Sequence, residues 1–432
     1  MLEESEQPCY LTPWDLSVLS TDYIQRGLLF TKPRDISIKT IIDQLKHSLS
    51  FTLTHFFPLS GRLVTKKNLD PPSYYVYIDC KDGPGAEFAH AEADLTTSDI
   101  LLPIDVPPFV ELLFALGRPI NYDGHDLPLF AVQVTELIDG IFIGCSFNHA
   151  VGDGISFWNF LNTWSEVSRT TGHNIPCISC PPITKRWFVN NQNQIINLPY
   201  THHNEFIERY VAAPFKERMF HFSSQSMAQL KAKANAESNT TKVSSFQALA
   251  GLVWRSVTRA RGLLADQKTT CWVATNDRSR LDPPLSENYF GNCILALHLT
   301  PTAGELLSNN LGWSAMLLHR AVVDHDKVKV RAIIEALTKT PHIFQFGASV
   351  NPFSVSFGSS PRFNVYTNDF GWGKPIAVRC GHGNKYDGKV SSYPGREGGG
   401  SVDLEICLFS DTMNALELDE EFMNAVTPCP TG

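Results

Sequence analysis

The chain has 432 residues, a net charge of −8 at pH 7, and a composition that is 43% hydrophobic and 19% charged. That length suits two sizeable domains, the composition is ordinary for a globular protein, and the acidic balance excludes the broad basic surface that nucleic-acid binding needs. Ten scattered cysteines are too sparse for a secreted disulfide scaffold. Cys177 and Cys180 form one CxxC, but no second CxxC or HxxxH follows at zinc-finger spacing, so no metal site is expected. The first twenty residues lack a basic region followed by an apolar stretch. No run approaches the roughly 18 apolar residues of a membrane span. The expectation is a cytosolic protein with free thiols, in which the Asn239-Thr240-Thr241 sequon is not used.

In chain order, Ile38 to Phe56 carries apolar residues at helical spacing. Pro58 stops that helix, and FFPLSGRL turns into a strand. Tyr74–Ile78 is aromatic and β-branched, hence a strand. Leu129–Val134 and Ile141–Phe147 read as two strands joined at Asp139-Gly140, followed by a helix over Ile155–Val167. From Asn174 to Pro214 prolines, asparagines and polar clusters break every pattern, which marks a crossover. Helices are then expected at Met227–Ala236, Phe246–Ala260, Ala303–Leu337 and Leu416–Val426. Strands are expected at Thr270–Ala274, Cys293–Leu299, Phe363–Tyr366, Pro375–Arg379 and Val402–Leu408. Strands and helices mix in both halves, so the class is α/β with mixed sheets.

One segment carries chemistry. In IFIGCSFNHAVGDGISFWNFL an apolar strand runs into Asn148-His149, a short turn holds Gly152, and Asp153-Gly154 opens a helix. A strand end is rigid and faces the cleft where ligands bind in such sheets. A neutral imidazole, with an ordinary pKa near 6.5, takes and returns a proton near neutral pH. Asp153 sits where a carboxylate caps free helix N–H groups. No GxSxG elbow, P-loop, GxGxxG or HExxH competes.

His149-Ala150-Val151-Gly152-Asp153-Gly154 resembles the HxxxDG signature of coenzyme A-dependent acyltransferases, and Asp369-Phe370-Gly371-Trp372-Gly373 resembles the DFGWG signature of the plant BAHD acyltransferases. They stand 220 residues apart, His149 to Asp369, in that family's order. FFPLSGRL, Ser244 to Arg255, Asn276 to Leu285, Tyr289 to Asn292 and Gly398 to Asp403 resemble further family segments, so the likeness spans nearly the whole chain.

The resemblance implies a two-domain fold, each domain a mixed β-sheet with flanking helices: residues 1–173, a crossover over 174–214, and residues 215–432. It implies a channel between them, entered by coenzyme A from one face and by the acceptor from the other. His149 would be the general base. Asp153 would be structural, paired with Arg278 or, failing that, Arg280. Asp369 would shape the channel, and Ser244, Ser245, Gly371 and Trp372 would meet the cofactor. Ser244 and Gln247 also form an S-x-x-Q capping box. Asn292 and Trp372 are candidate oxyanion donors. The family implies acyl-CoA as co-substrate rather than a permanently bound cofactor, a small-molecule acceptor and a monomer. Ser360 stands where hydroxycinnamoyl transferases of the lignin pathway usually carry Trp, which argues against a shikimate-type acceptor. A lyase reusing the pocket without coenzyme A, and a non-catalytic partner protein, are the competing readings.

Overall fold

The structure, a computed structural model, describes residues 7–81, 83–170, 178–189 and 194–428; Cys177 of the CxxC lies outside them. The described residues form strands β1 (Cys9–Tyr10), β2 (Ile24–Thr31), β3 (Arg62–Leu69), β4 (Pro72–Asp79), β5 (Glu87–Glu92), β6 (Phe130–Glu136), β7 (Gly140–Phe147), β8 (Lys216–Phe222), β9 (Thr270–Asn276), β10 (Ile294–Leu299), β11 (Ser354–Gly358), β12 (Ala377–Cys380), β13 (Lys389–Pro394) and β14 (Val402–Leu408). They form a five-stranded sheet ordered β12-β2-β7-β6-β5, a six-stranded sheet ordered β10-β9-β11-β13-β14-β8, and a small β1-β4-β3 sheet. Both large sheets are mixed: β5 runs parallel to β6, and β11 runs parallel to both its neighbours.

Every residue of β7 is buried. It lies between β2 and β6, and it is covered on both faces, which is why its sequence is a continuous apolar run rather than an alternation. On one face lie the Ile38–His55 and Gly154–Thr170 helices, through Ile41, Leu45, Leu49, Phe157, Phe160 and Trp164. On the other lies a short 3₁₀ segment, Pro108–Leu113, with Leu113 and Phe114 packed on Phe142. Gly27 and Gly144 face each other across β2 and β7 and admit that segment.

In the six-stranded sheet, alternate residues take opposite faces. Cys271, Val273, Val355, Phe357, Val390, Leu404 and Ile406 share a core with the Ser245–Ala260 helix. The other face carries Ser356, Lys389, Ser391, Tyr393 and Glu405 and turns toward the five-stranded sheet: Tyr393 belongs to the core cluster of β2 and β7, and its ring receives the Arg26 guanidinium at 5.8 Å. Strand β12, from late in the chain, pairs with β2 and becomes an edge of the five-stranded sheet.

Three expectations are corrected. Phe363–Tyr366 is not a strand; Thr367 Oγ1 and Asn368 Nδ2 donate to the Asn364 and Val365 carbonyls and hold the segment in turns. Ala303–Leu337 is broken into Ala303–Ser308, Leu311–Asp324 and Lys327–Lys339, because Asn310 and Asp326 cap new helix starts. Leu416–Val426 becomes Ser410–Leu416 and Glu420–Met423, the second capped by Asp419.

A Cβ on Gly144 would stand 2.1 Å from the Leu113 carbonyl oxygen, a backbone atom that cannot swing away. Gly144→Ala is therefore expected to cost about 1–3 kcal/mol, read as a lower urea midpoint. An unchanged midpoint would contradict this packing.

Candidate active site

The turn after β7 is fixed by its own amides. Asn148 N–H donates to the Leu129 carbonyl (2.9 Å), Asn148 Oδ1 accepts from Ala150 N–H (3.0 Å), and Asn148 Nδ2 donates to the Asn121 carbonyl (2.8 Å). His149 N–H donates to Asn121 Oδ1 at 2.6 Å. Gly152 lets the helix start close by, since a Cβ there would lie 2.7 Å from Ser156 Cβ.

Asp153 points away from the imidazole. Its carboxylate accepts from Arg278 Nη1 (2.7 Å) and Nη2 (3.0 Å), from Ser156 N–H (3.0 Å) and from Cys293 N–H (3.0 Å). Both side chains of the ion pair are fully buried. Burial pushes the Asp153 carboxyl up, but Arg278 and the two backbone donors outweigh it and hold the pKa below the usual value. Arg278 Nη2 also donates to the Tyr289 and Gly291 carbonyls, each at 3.1 Å, so one guanidinium ties the β7–helix turn to the loop before β10. Arg280 instead lies 3.7 Å from Asp277 and donates to the Asn276 carbonyl.

The imidazole is oriented by an amide. His149 Nδ1 lies 3.1 Å from Asn292 Oδ1. Asn292 Nδ2 donates to Asp15 Oδ1 (2.8 Å) and to the His149 carbonyl (2.7 Å). With both acceptors on its nitrogen, Asn292 presents oxygen to His149, so Nδ1 carries the proton and Nε2 holds a lone pair. Asp15 is fixed in turn by Thr12 N–H and Oγ1, both at 2.9 Å, and faces Arg186 Nη1 at 3.7 Å. Arg186 donates to the Val151 and Phe290 carbonyls at 2.8 and 3.2 Å. Burial is the largest cause holding His149 below the ordinary histidine value; Lys389 adds to it, while Asp153 and Asn292 oppose it.

The Asp369–Gly373 loop is a packing device. Asp369 Oδ1 accepts from Gly371 N–H (2.8 Å) and Gly373 N–H (3.0 Å), at glycines with φ of 110° and 119°. Phe370 is fully buried against Trp164, Phe30 and Trp372, and its carbonyl accepts from Gln44 and Ser168. The Trp372 indole is turned into this same core cluster. Ser244 caps the Ser245–Ala260 helix by accepting from Gln247 N–H (3.2 Å), and Gln247 Oε1 accepts from Ser244 N–H (2.8 Å).

Of the two residues weighed as oxyanion donors, Asn292 spends its side-chain N–H groups on Asp15 and the His149 carbonyl, whereas Trp372 packs against the core with its indole N–H unpartnered among the described residues. Asn121, Asp15 and Arg186 went unrecognised in the sequence. Asp15 had one local signal, the Thr12-Pro13-Trp14-Asp15 capping box; the other two had none.

A family model described as "Transferase family" matches residues 3–423. An uncharacterized acetyltransferase of Arabidopsis thaliana is 39% identical over 429 residues, 98% of this chain and 95% of that protein. The BAHD acyltransferase DCR of Arabidopsis thaliana is 36% identical over 436 residues, 96% of this chain and 88% of its own length. The chain belongs to the BAHD acyltransferase family. The fold is shared with F. sporotrichioides TRI101, solved with coenzyme A and T-2, which superposes with a TM-score of 0.79 at 20% identity, covering 98% of this chain and 99% of that one. Among the described residues of this BAHD member no helix is long and apolar enough to cross a membrane.

Replacing Asn292 with Ala removes the stronger of two hydrogen bonds to buried Asp15 Oδ1, leaving the backbone N–H of residue 292 at 3.2 Å, and frees the imidazole to turn. The expected cost is about 1–3 kcal/mol in stability, with kcat falling more than KM rises. A KM effect alone would contradict the orienting role.

Proposed function

We propose that this BAHD enzyme moves an acyl group from a coenzyme A thioester to a hydroxyl or amine of a small plant metabolite, with His149 as general base. The observation that supports it most is the imidazole itself: half-buried, held neutral, its Nδ1 proton engaged by Asn292, and its Nε2 without a hydrogen-bond partner among the described residues. Nε2 takes the proton from the acceptor as the acceptor oxygen or nitrogen attacks the thioester carbonyl. The tetrahedral intermediate collapses, the C–S bond breaks, and the thiolate takes the proton back from His149. No covalent acyl-enzyme forms. Holding both substrates in one channel supplies proximity, and the base contributes about 10²–10⁴-fold.

Coenzyme A is a polyanion and the chain has a net charge of −8, so its site must be local. The start of the Ser245–Ala260 helix suits it. Ser244 Oγ engages only the Gln247 N–H, leaving other first-turn N–H groups for a phosphate or the pantetheine amides, and exposed Lys242 lies just before. The Asp369–Gly373 loop, with Gly371 exposed, and Trp372 beneath it, would form the channel wall rather than supply chemistry. We place the enzyme in the cytosol as a monomer. The buried free thiols of Cys145, Cys271, Cys293, Cys380 and Cys407 suit a reducing compartment.

His149→Ala should lower kcat by about 10²–10⁴-fold while calorimetry still registers free coenzyme A. Undiminished turnover would remove His149 from the chemistry. The pH profile is a second check. Because burial lowers the His149 pKa, the imidazole stays unprotonated as pH falls through the ordinary histidine value near 6.5. The acid limb of kcat/KM should therefore have its midpoint below pH 6.5. A midpoint above that value would contradict the environment described.

A further inference from the structure

Two lysines stand four residues apart, Lys385 in the loop before β13 and Lys389 at its first position, and they are treated differently. Lys385 is buried between two carboxylates: Glu217, and Glu405 at 3.1 Å. Lys389 has no carboxylate. Among the described residues its amine has neither an ion pair nor a hydrogen bond, and its recorded contact is the face of the Tyr386 ring, 5.9 Å from the centroid. Space is left for it: Ser356 is its partner on β11, and a Cβ on Gly358, two residues further along that strand, would lie 2.6 Å from Nζ.

Register fixes the direction in which Lys389 projects. Val390 enters the core beneath the Ser245–Ala260 helix, so Lys389, Ser391 and Tyr393 take the other face. Tyr393 on that face packs with the core of β2 and β7, the strand that ends at His149. Lys389 is half-buried on the face of β13 that turns toward the five-stranded sheet. Its charge reaches His149 and lowers the imidazole pKa. The groups acting on the amine are Arg26 from β2, which repels it, and the thiols of Cys380 and Cys407. Burial and Arg26 bring the Lys389 pKa down to about 8, so at neutral pH the amine is still mostly charged.

A half-buried cation with no partner is costly, and clefts that bind ligands are where such groups are found. We infer that Lys389 is a carboxylate-binding residue of the channel, and that one of this enzyme's two substrates carries a carboxylate, either on the acyl group or on the acceptor. The inference rests on reading this cleft as the acyl-transfer channel. It goes further in giving the substrate a charge. It also couples recognition to chemistry: a bound carboxylate neutralises the field that Lys389 exerts on His149, so the right substrate makes the imidazole a stronger base.

The test compares the full chain with its Lys389→Met variant. Each is titrated at neutral pH with cinnamate and with cinnamamide, which differ in the charge at the carboxyl carbon. The wild-type chain should bind cinnamate about tenfold or more tighter than the amide, and the ratio should collapse toward one in the variant. Equal ratios in the two proteins overturn the assignment. Lys389→Arg should keep the preference, and Lys389→Gln replaces the Met variant if that one does not fold. Turnover then locates the carboxylate. A Lys389-dependent preference for malonyl-CoA over propionyl-CoA puts it on the acyl group, and a preference for acidic acceptors over their methyl esters puts it on the acceptor. Free coenzyme A binding and thioester consumption report separately on acyl transfer. Their absence, with the cinnamate preference intact, would sink the acyl-transfer reading and leave Lys389 as an anion site.

Discussion

The ion pair between Asp153 and Arg278 holds together the two parts of the chain that build the site. Asp153 opens the helix after β7, and Arg278 follows β9 in the other large sheet. Two charges with no exposed side-chain surface gain little from pairing compared with an apolar replacement, but breaking the pair leaves one of them stranded. Here the stranding would be severe. Arg278 also carries the Tyr289 and Gly291 carbonyls, and Asp153 carries the Ser156 and Cys293 amides. The pair therefore sets the path of the loop that brings Asn292 to His149.

From that constraint follows the chemistry of the imidazole. In a Ser-His-Asp triad a carboxylate orients the histidine and stabilises its charged form. In this chain the carboxylate that ends the HxxxD segment, four residues after His149, is committed to Arg278, and an amide does the orienting. Asn292 fixes the tautomer without offering negative charge, so the imidazole remains neutral and available as a base. The charge in the network is set one step back, on Asp15 and Arg186, both buried and facing each other at 3.7 Å. Arg186 lies in the segment where the sequence loses its periodicity, so the crossover contributes a structural arm to the active site.

What could be read from the sequence depended on how local its cause was. The apolar run of β7 and the helix after it were legible because burial on both faces and helical spacing write themselves into consecutive residues. The S-x-x-Q box at Ser244 was legible for the same reason. Strands β1, β2, β5, β8, β11 and β13 escaped notice: each owes its pairing to partners elsewhere along the chain, such as Cys9 opposite Ile78, Ser356 opposite Lys389 or Arg26 opposite Cys145. Phe363–Tyr366 misled because its apolar residues pack as turns on Trp158 rather than in a ladder. At the site, His149 and Asp153 were visible as a motif. Asp15, Asn121 and Arg186 reach it from 134, 28 and 37 positions away along the chain, and no spacing rule connects them. The choice of Arg278 over Arg280 came from family resemblance, since two arginines two residues apart look alike until the turn that buries one fully and leaves the other partly covered is known.

The central claim is that the Asp153–Arg278 pair acts as one unit that positions His149, and a double-mutant cycle measures it directly. Asp153→Ala, Arg278→Met and the double variant are compared with the parent by urea unfolding and by kcat/KM. The account predicts that each single substitution costs about 3–5 kcal/mol, that the double variant loses less than the sum of the two, and that activity falls in step with stability. Additive losses, or lost activity at unchanged stability, would contradict it and return Asp153 to the imidazole.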